Sequence, residues 1–165
     1  MKIRRSEPAD EPAMLSIIND AAQAYRGVIP PDRWHEPYMS PAELSQEIER
    51  GVEFWLGGEE SGVLALMGVQ DKGAVALVRH AYVATAAQRS GIGTALLRHV
   101  EGLTAKPMLI GTWADASWAI AFYRRNGFEV VPAEAKDNLL RTYWNIPARQ
   151  VETSVVLAKP AMARS

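Results

Sequence analysis

One domain with a buried core of its own fits a chain of 165 residues, 48% hydrophobic and 22% charged. A formal net charge of −1 excludes a protein held to nucleic acid by a general basic field, and no run approaches the roughly 20 apolar residues that cross a bilayer. With no cysteine, disulfides, thiolate metal sites and thiol nucleophiles are all excluded.

In chain order, MKIRRSEPAD has basic residues with no apolar stretch behind them, so no signal peptide is expected and the protein reads as cytoplasmic. KIRR suits a short first strand. Asp10 suits the N-cap of a helix with Pro12 in its first turn, and Met14, Ile17, Ile18, Ala21 and Tyr25 recur at helical spacing. Residues 25–39, YRGVIPPDRWHEPYM, are irregular and rich in proline and aromatics, as a loop over a cleft would be. SPAE at Ser40–Glu43 is a capping box, opening a second helix that ends at Arg50 with Gly51 as its left-handed stop.

Strand-like alternation follows from Glu53 to Val83, broken by turn residues at Glu60–Gly62 and Asp71–Gly73. Breaks this short predict an antiparallel meander of three strands. Ile92, Leu96, Val100 and Leu103 mark a third helix with one buried face, leaving His99 on its solvated side. PMLIGTWA is a buried strand entered through Pro107, and SWAIAFYRRNGF is a helix with Ser117 as N-cap and Gly127 as C-cap. FEVV and TSVVLAKP are strands, joined by a long segment containing KDNLLRTYWNIPARQ. The resulting order is β-α-α-β-β-β-α-β-α-β-β, an α/β fold with a largely antiparallel sheet.

Between the third strand of the meander and the third helix stands Gln88–Arg89–Ser90–Gly91–Ile92–Gly93. Glycine lets a ligand touch the main chain, and successive N–H groups at a helix start form an anion site to which Arg89 adds a cation. A phosphate or pyrophosphate is the expected guest. No Lys follows Gly93, as a Walker loop needs, and Leu96 stands where a dinucleotide fingerprint needs its third glycine. A ligand-free tight turn remains the alternative for these residues taken alone.

The segment matches Q/R-x-x-G-x-G/A, and AIAFYRRNGF matches A-x-x-F-Y-x-x-x-G-F further on. In both motifs and in element order the chain resembles the GCN5-related N-acetyltransferase (GNAT) family, most specifically from about Val75 to Phe128. The resemblance implies a single domain over residues 1–160 with a short tail at 161–165. It also implies a mixed, mainly antiparallel sheet of about seven strands flanked by about four helices.

The resemblance further implies acetyl-CoA as co-substrate and no metal. Three histidines without HxxxH or HExxH spacing agree with the latter. Backbone groups of Ala81, Tyr82 and Val83 would pair with the pantetheine arm. Gln88 and the amides of Arg89, Ser90, Gly91, Ile92, Gly93 and Thr94 would hold the pyrophosphate. Tyr123 would protonate or hydrogen-bond the departing sulfur, packing in the core being the alternative for an isolated Phe122–Tyr123 pair. The asparagine that family members often carry seven residues earlier is replaced by Ala116; either Ser117 takes over its hydrogen bond or that contact is lost.

An attacking amine must be neutral, which calls for a base. His80 has a suitable intrinsic pKa, against the alternative of a strand histidine bonded in the core or facing solvent. Strict alternation puts Val78, His80 and Tyr82 on one face, a parity that a bulge would shift. Many relatives use a carboxylate or ordered waters instead; Glu53 or Glu59 could serve, and nothing in the sequence selects either.

The function implied is direct acetyl transfer, in a ternary complex, to a primary amine of a small molecule or peptide, with no nucleic-acid or membrane partner. Without cysteine there is no acetyl-cysteine intermediate. The alternatives are a non-catalytic acyl-CoA-binding sensor or partner domain, and transfer of a longer acyl group. Acceptor contacts are expected from Trp34, His35, Tyr38, Arg141, Tyr143 and Trp144. Satellite core packing is the alternative for Leu139–Trp144, and Tyr143 and Trp144 suit a homodimer contact equally well.

Overall fold

The computed structural model describes residues 1–160; the tail expected at 161–165 lies outside the described residues. A seven-stranded sheet in the order β1-β2-β3-β4-β5-β7-β6 forms the centre. β1 (Lys2–Arg5), β2 (Val52–Glu59), β3 (Gly62–Asp71) and β4 (Ala76–Val83) run antiparallel in succession. β4 and β5 (Met108–Trp113) are the one parallel pair, and β7 (Ser154–Lys159) lies antiparallel between β5 and the short edge strand β6 (Glu129–Val130).

Helices α1 (Glu11–Ala21) and α2 (Pro41–Glu49) cover one face of the meander. Met14, Ile17, Ile18 and Leu44 pack there on Phe54, Leu56 and Leu66. α3 (Ile92–Glu101) and α4 (Ser117–Arg125) cover the opposite face. Their Leu96, Leu97, Val100, Ala119 and Tyr123 close over Ala65, Met67, Val78 and Ile110. Burying a large apolar side chain completely, as Phe54 and Phe128 are buried, contributes about 1.5–3 kcal/mol each.

Three local expectations change. Asp10 precedes α1 but does not cap it: its carboxylate accepts both nitrogens of the Arg4 guanidinium, at 2.7 and 2.8 Å, and the Glu7 N–H. Ser117 is the first residue of α4, with Ala116 as the capping position and no side-chain cap. His99 lies half-buried against Trp55, ring centroids 4.6 Å apart, because its turn of α3 faces the β2 strand rather than water. The Ser40 capping box and the positive φ of Gly51 are as expected.

The segment between β6 and β7 folds into α5 (Ala133–Tyr143) and α6 (Ala148–Glu152), giving six α-helices among the described residues rather than about four. They shield the far end of the sheet, where Leu140 and Val151 pack on Leu77, Leu109 and Val156. Among the described residues no helix is long and apolar enough to cross a membrane.

Candidate active site

β4 pairs with β5 only from Ala76 to Val78. Past that point β4 stays with β3 as far as Val83, while β5 stays with β7 as far as Trp113, so the two part. The β3–β4 ladder slips at the same place: Leu66 faces Tyr82 and Gly68 faces Arg79, which leaves His80 and Ala81 opposite Met67 alone. This is a β-bulge, and His80 adopts φ 56° within it. A left-handed histidine costs about 1–2 kcal/mol, which the surrounding packing offsets. Only glycine fits opposite Arg79 at the edge of the bulge, because a Cβ at Gly68 would lie 2.7 Å from the Arg79 carbonyl oxygen and from Val52 Cγ1.

The bulge decides where side chains point. Arg79 and His80 both turn toward α2, Tyr82 follows them, and Val78 faces the α3–α4 side, so alternation fails for Val78 and His80. His80 Nε2 lies 2.5 Å from Glu47 Oε2, and Arg79 Nη2 lies 3.4 Å from the same oxygen. Burial raises the Glu47 pKa, but the His80 hydrogen bond and the charges around it outweigh that, leaving the group below its ordinary value.

Two cavities meet in the gap between the strands. One, of about 450 Å³, is lined by Val83, Gln88, Arg89, Gly93, Trp118, Phe122 and Arg125 over a floor of Leu66 and Met67. The other, of about 150 Å³, lies among Tyr38, Arg79, His80, Thr112, Trp113, Trp144 and Ile146. Tyr25, Ala81, Tyr82 and Tyr123 line both, so the two cavities adjoin at these residues.

At the mouth of the larger cavity the chain makes a short 3-10 turn, Thr85–Ala87, before α3. Asp20 anchors it by accepting the Thr85 N–H at 3.0 Å and its hydroxyl at 2.9 Å; those bonds hold the Asp20 carboxyl below its usual range. Arg89 (φ 67°) and Gly91 (φ 84°) are both left-handed with Ser90 between them. Such alternation turns consecutive amides to one side. Among the described residues none of the N–H groups from Arg89 to Thr94 has a protein partner, whereas Gln88 and Ala95 on either side do. A Cβ at Gly93 would meet Phe122 and Val83 at 3.5 Å, an ordinary contact, so a small residue fits there, as the G/A of the motif allows.

Of the residues expected to meet the co-substrate, Ala81, Tyr82, Val83, Gln88, Arg89 and Gly93 line the larger cavity. Ser90, Gly91 and Thr94 belong to the loop but do not line that cavity, and the Ile92 side chain is core. Ser117 is exposed and lines neither cavity, because it lies outward on the first turn of α4.

Tyr123 is both a core residue and a cleft residue. Its ring packs edge-on against Phe122 and Phe128, with centroids 5.2 and 6.0 Å away. Its hydroxyl has no protein hydrogen-bond partner, and it is not among the walled-off polar atoms of the described residues: Arg33 Nε, Trp55 Nε1 and His99 Nε2. Burial, with Tyr25 nearby, pushes the phenol well above its ordinary pKa. Burial likewise pushes Tyr25 up to about 12.

Of the expected acceptor contacts, Tyr38 and Trp144 line the smaller cavity. Trp34 and His35 pack against Tyr38 but line neither cavity, while Tyr143 belongs to the core under α5 and Arg141 is exposed. Trp144 lies on Gly111 of β5, where a Cβ would come within 3.2 Å of its ring. Glu53 pairs with Arg5 and Glu59 with the amino terminus, both away from the cleft. Sequence reasoning missed Glu47, Arg79 and Tyr25. Glu47 is one of several charges on an amphipathic helix, and nothing local distinguishes it from its neighbours.

The acetyltransferase (GNAT) domain family model matches residues 50–130. The fold is shared with PaiA N-acetyltransferase from Thermoplasma acidophilum, solved with coenzyme A, at TM-score 0.72 and 18% identity over 96% of this chain and 97% of that one. The ribosomal-protein-S18-alanine N-acetyltransferase of Escherichia coli aligns at TM-score 0.65 and 19% identity over 99% and 96%. An IAA acetyltransferase from Bacillus cereus aligns at 0.62 and 18% over 95% and 97%. No curated protein matches the sequence. The matched stretch carries the parted strand, the unpaired amides and the helix of Tyr123, and over it the chain matches the GNAT family of acetyltransferases.

Proposed function

We propose that the protein transfers an acetyl group from acetyl-CoA directly to a primary amine of a small molecule, both substrates being held in the cleft at once. The observation that carries this reading is the run of amides from Arg89 to Thr94 without a partner among the described residues, beside a cavity that adjoins a second one at Tyr123. The amides take the pyrophosphate, with Arg89 and Arg125 at the same wall. The open edge of β4 from Ala81 to Val83 pairs with the pantetheine arm. A backbone N–H there stabilises the oxyanion that forms on the thioester carbonyl. Holding both reactants in one cleft supplies proximity.

The amine nitrogen attacks the carbonyl carbon and the C–S bond breaks. The N–H proton passes to His80 and then, through solvent, to the thiolate, giving amide and free CoA thiol. A phenol raised well above the ordinary thiol range holds its own proton, so Tyr123 acts as a hydrogen-bond donor to the leaving sulfur rather than giving that proton up. A cavity of about 150 Å³ favours a compact acceptor over a peptide, since a comparable apolar cavity is filled by benzene. With Arg79 already engaged by Glu47 and Gln70, a free carboxylate on the acceptor finds no open cation there.

The test is calorimetry with acetyl-CoA, followed by thiol release over a panel of primary amines. Binding with turnover is expected. Absence of acetyl-CoA binding sinks the reading, and binding without turnover on any amine replaces it with an acyl-CoA-binding domain.

A further inference from the structure

We propose that Glu47 is a positioning residue: its carboxylate fixes the His80 imidazole as the Nε2–H tautomer and turns the Nδ1 lone pair into the acceptor-side cavity. Only the last step, uptake of the amine proton at Nδ1, rests on the acetyl-transfer reading above.

The carboxylate accepts from Nε2 at 2.5 Å, so the other ring nitrogen is the one left with a lone pair. Nδ1 has no protein partner, and it is not among the walled-off nitrogens of the described residues. His80 also lines the smaller cavity. Phe54 packs on the ring at 6.0 Å, and Tyr82 of β4 and Tyr38 of the preceding loop stand on the same side.

The carboxylate is itself held by a chain of bonds. Arg79 Nη2 lies 3.4 Å from Glu47 Oε2, while Arg79 Nη1 donates to Gln70 Oε1 at 3.2 Å. Gln70 Nε2 in turn donates to the Arg50 carbonyl at 2.9 Å, returning the chain to the end of α2. Helix, β3 and β4 are thus tied around one oxygen.

This placement is locally unfavourable. Glu47 sits in the last turn of α2, where the helix dipole disfavours a carboxylate, and it is 9% exposed. The left-handed His80 and the bulge add a further local cost, and without the bulge His80 would face the other side of the sheet. Several local rules are broken at one spot and converge on one imidazole, the pattern expected where function rather than stability sets the residues.

The experiment is nitrogen-15 imidazole NMR on the full chain without acceptor, at about pH 8.5, where an ordinary imidazole is neutral. With three histidines, the His80 signals are assigned by their loss in His80→Gln. The Nε2–H tautomer is expected in the parent and in Glu47→Gln, whose amide oxygen still accepts, and a shift toward Nδ1–H is expected in Glu47→Leu. Thiol release from acetyl-CoA with phenethylamine is expected to show kcat down about 100-fold in Glu47→Leu. The KM for acetyl-CoA should stay within about twofold, and Glu47→Gln should return kcat to within about tenfold of the parent.

An Nδ1–H parent overturns the proposal, as does a tautomer that Glu47→Leu leaves unchanged, or equal kcat in all three proteins. Should Glu47→Leu not fold, the parent tautomer decides. The expected tautomers with no thiol release on any amine would remove the acetyl-transfer reading and leave the Glu47–His80 placement standing.

Discussion

The two walls of the cleft are built by different means. One wall of the larger cavity is main chain: a short contiguous loop, Arg89–Thr94, with two left-handed residues and amides that have no partner among the described residues. The wall around the smaller cavity is side chain: Tyr25, Tyr38, His80, Trp113 and Trp144 arrive from segments far apart in sequence. Backbone amides recognise any diphosphate in the same way, so a loop of this kind serves a fixed co-substrate. A mosaic of side chains can be exchanged piece by piece, which suits the partner that differs between enzymes.

The largest effect should come from breaking the backbone wall. Gly91→Val forces a β-branched residue into φ 84°, at a cost of about 1–2 kcal/mol for the left-handed conformation. With the amides turned out of line, acetyl-CoA affinity by calorimetry should fall by at least about 100-fold, or about 2.7 kcal/mol. Next comes the junction. Tyr123→Phe keeps the ring packing on Phe122 and Phe128 but removes the hydroxyl, and kcat should fall about 10–100-fold with acetyl-CoA affinity unchanged. An unaltered kcat would return Tyr123 to the core alone.

A smaller change sharpens the contrast between the walls. Gly111→Val must displace the Trp144 ring, now within 3.2 Å of the position of a Cβ. The acceptor KM should rise about tenfold while acetyl-CoA affinity holds. A change in acetyl-CoA affinity instead would show that the walls are not separable. The smallest effect lies outside both. Arg4, by its hydrogen bonds to Asp10, holds that carboxyl down from 3.8 to about 2. The pair therefore stabilises the fold fully above the ordinary Asp pKa and loses its contribution as pH falls from 3.8 toward about 2. At the surface this is worth no more than about 1 kcal/mol, so Asp10→Asn should lower Tm by about 2–4 °C at pH 7, and by less at pH 3, with activity unchanged.

The legible parts of the site share one property: their chemistry is local. Gln88–Gly93 announces itself because the glycines, the preceding strand and the following helix are contiguous, and Tyr123 is marked by its own helical motif. Helices α5 and α6 were less visible. Ala135, Leu139, Leu140 and Tyr143 do recur at helical spacing behind Pro132, but the aromatics and prolines around Trp144–Pro147 give that stretch the look of a loop. His80 was legible as a residue but not in its direction, because one extra residue in the ladder reverses every side chain beyond it.

Sequence by itself determined the order of the strands and the first four helices, the meander, the amide loop before α3 and the tyrosine of α4, because each is written in periodicity or in a few adjacent residues. Tertiary structure alone decided that β4 bulges at His80, that Glu47 lies 2.5 Å from it across 33 positions of chain, and that two cavities adjoin at Tyr123. The physical reason is range. Backbone propensity acts over a turn or a strand, whereas a shared carboxylate or a cleft exists only once distant segments have been packed against one another.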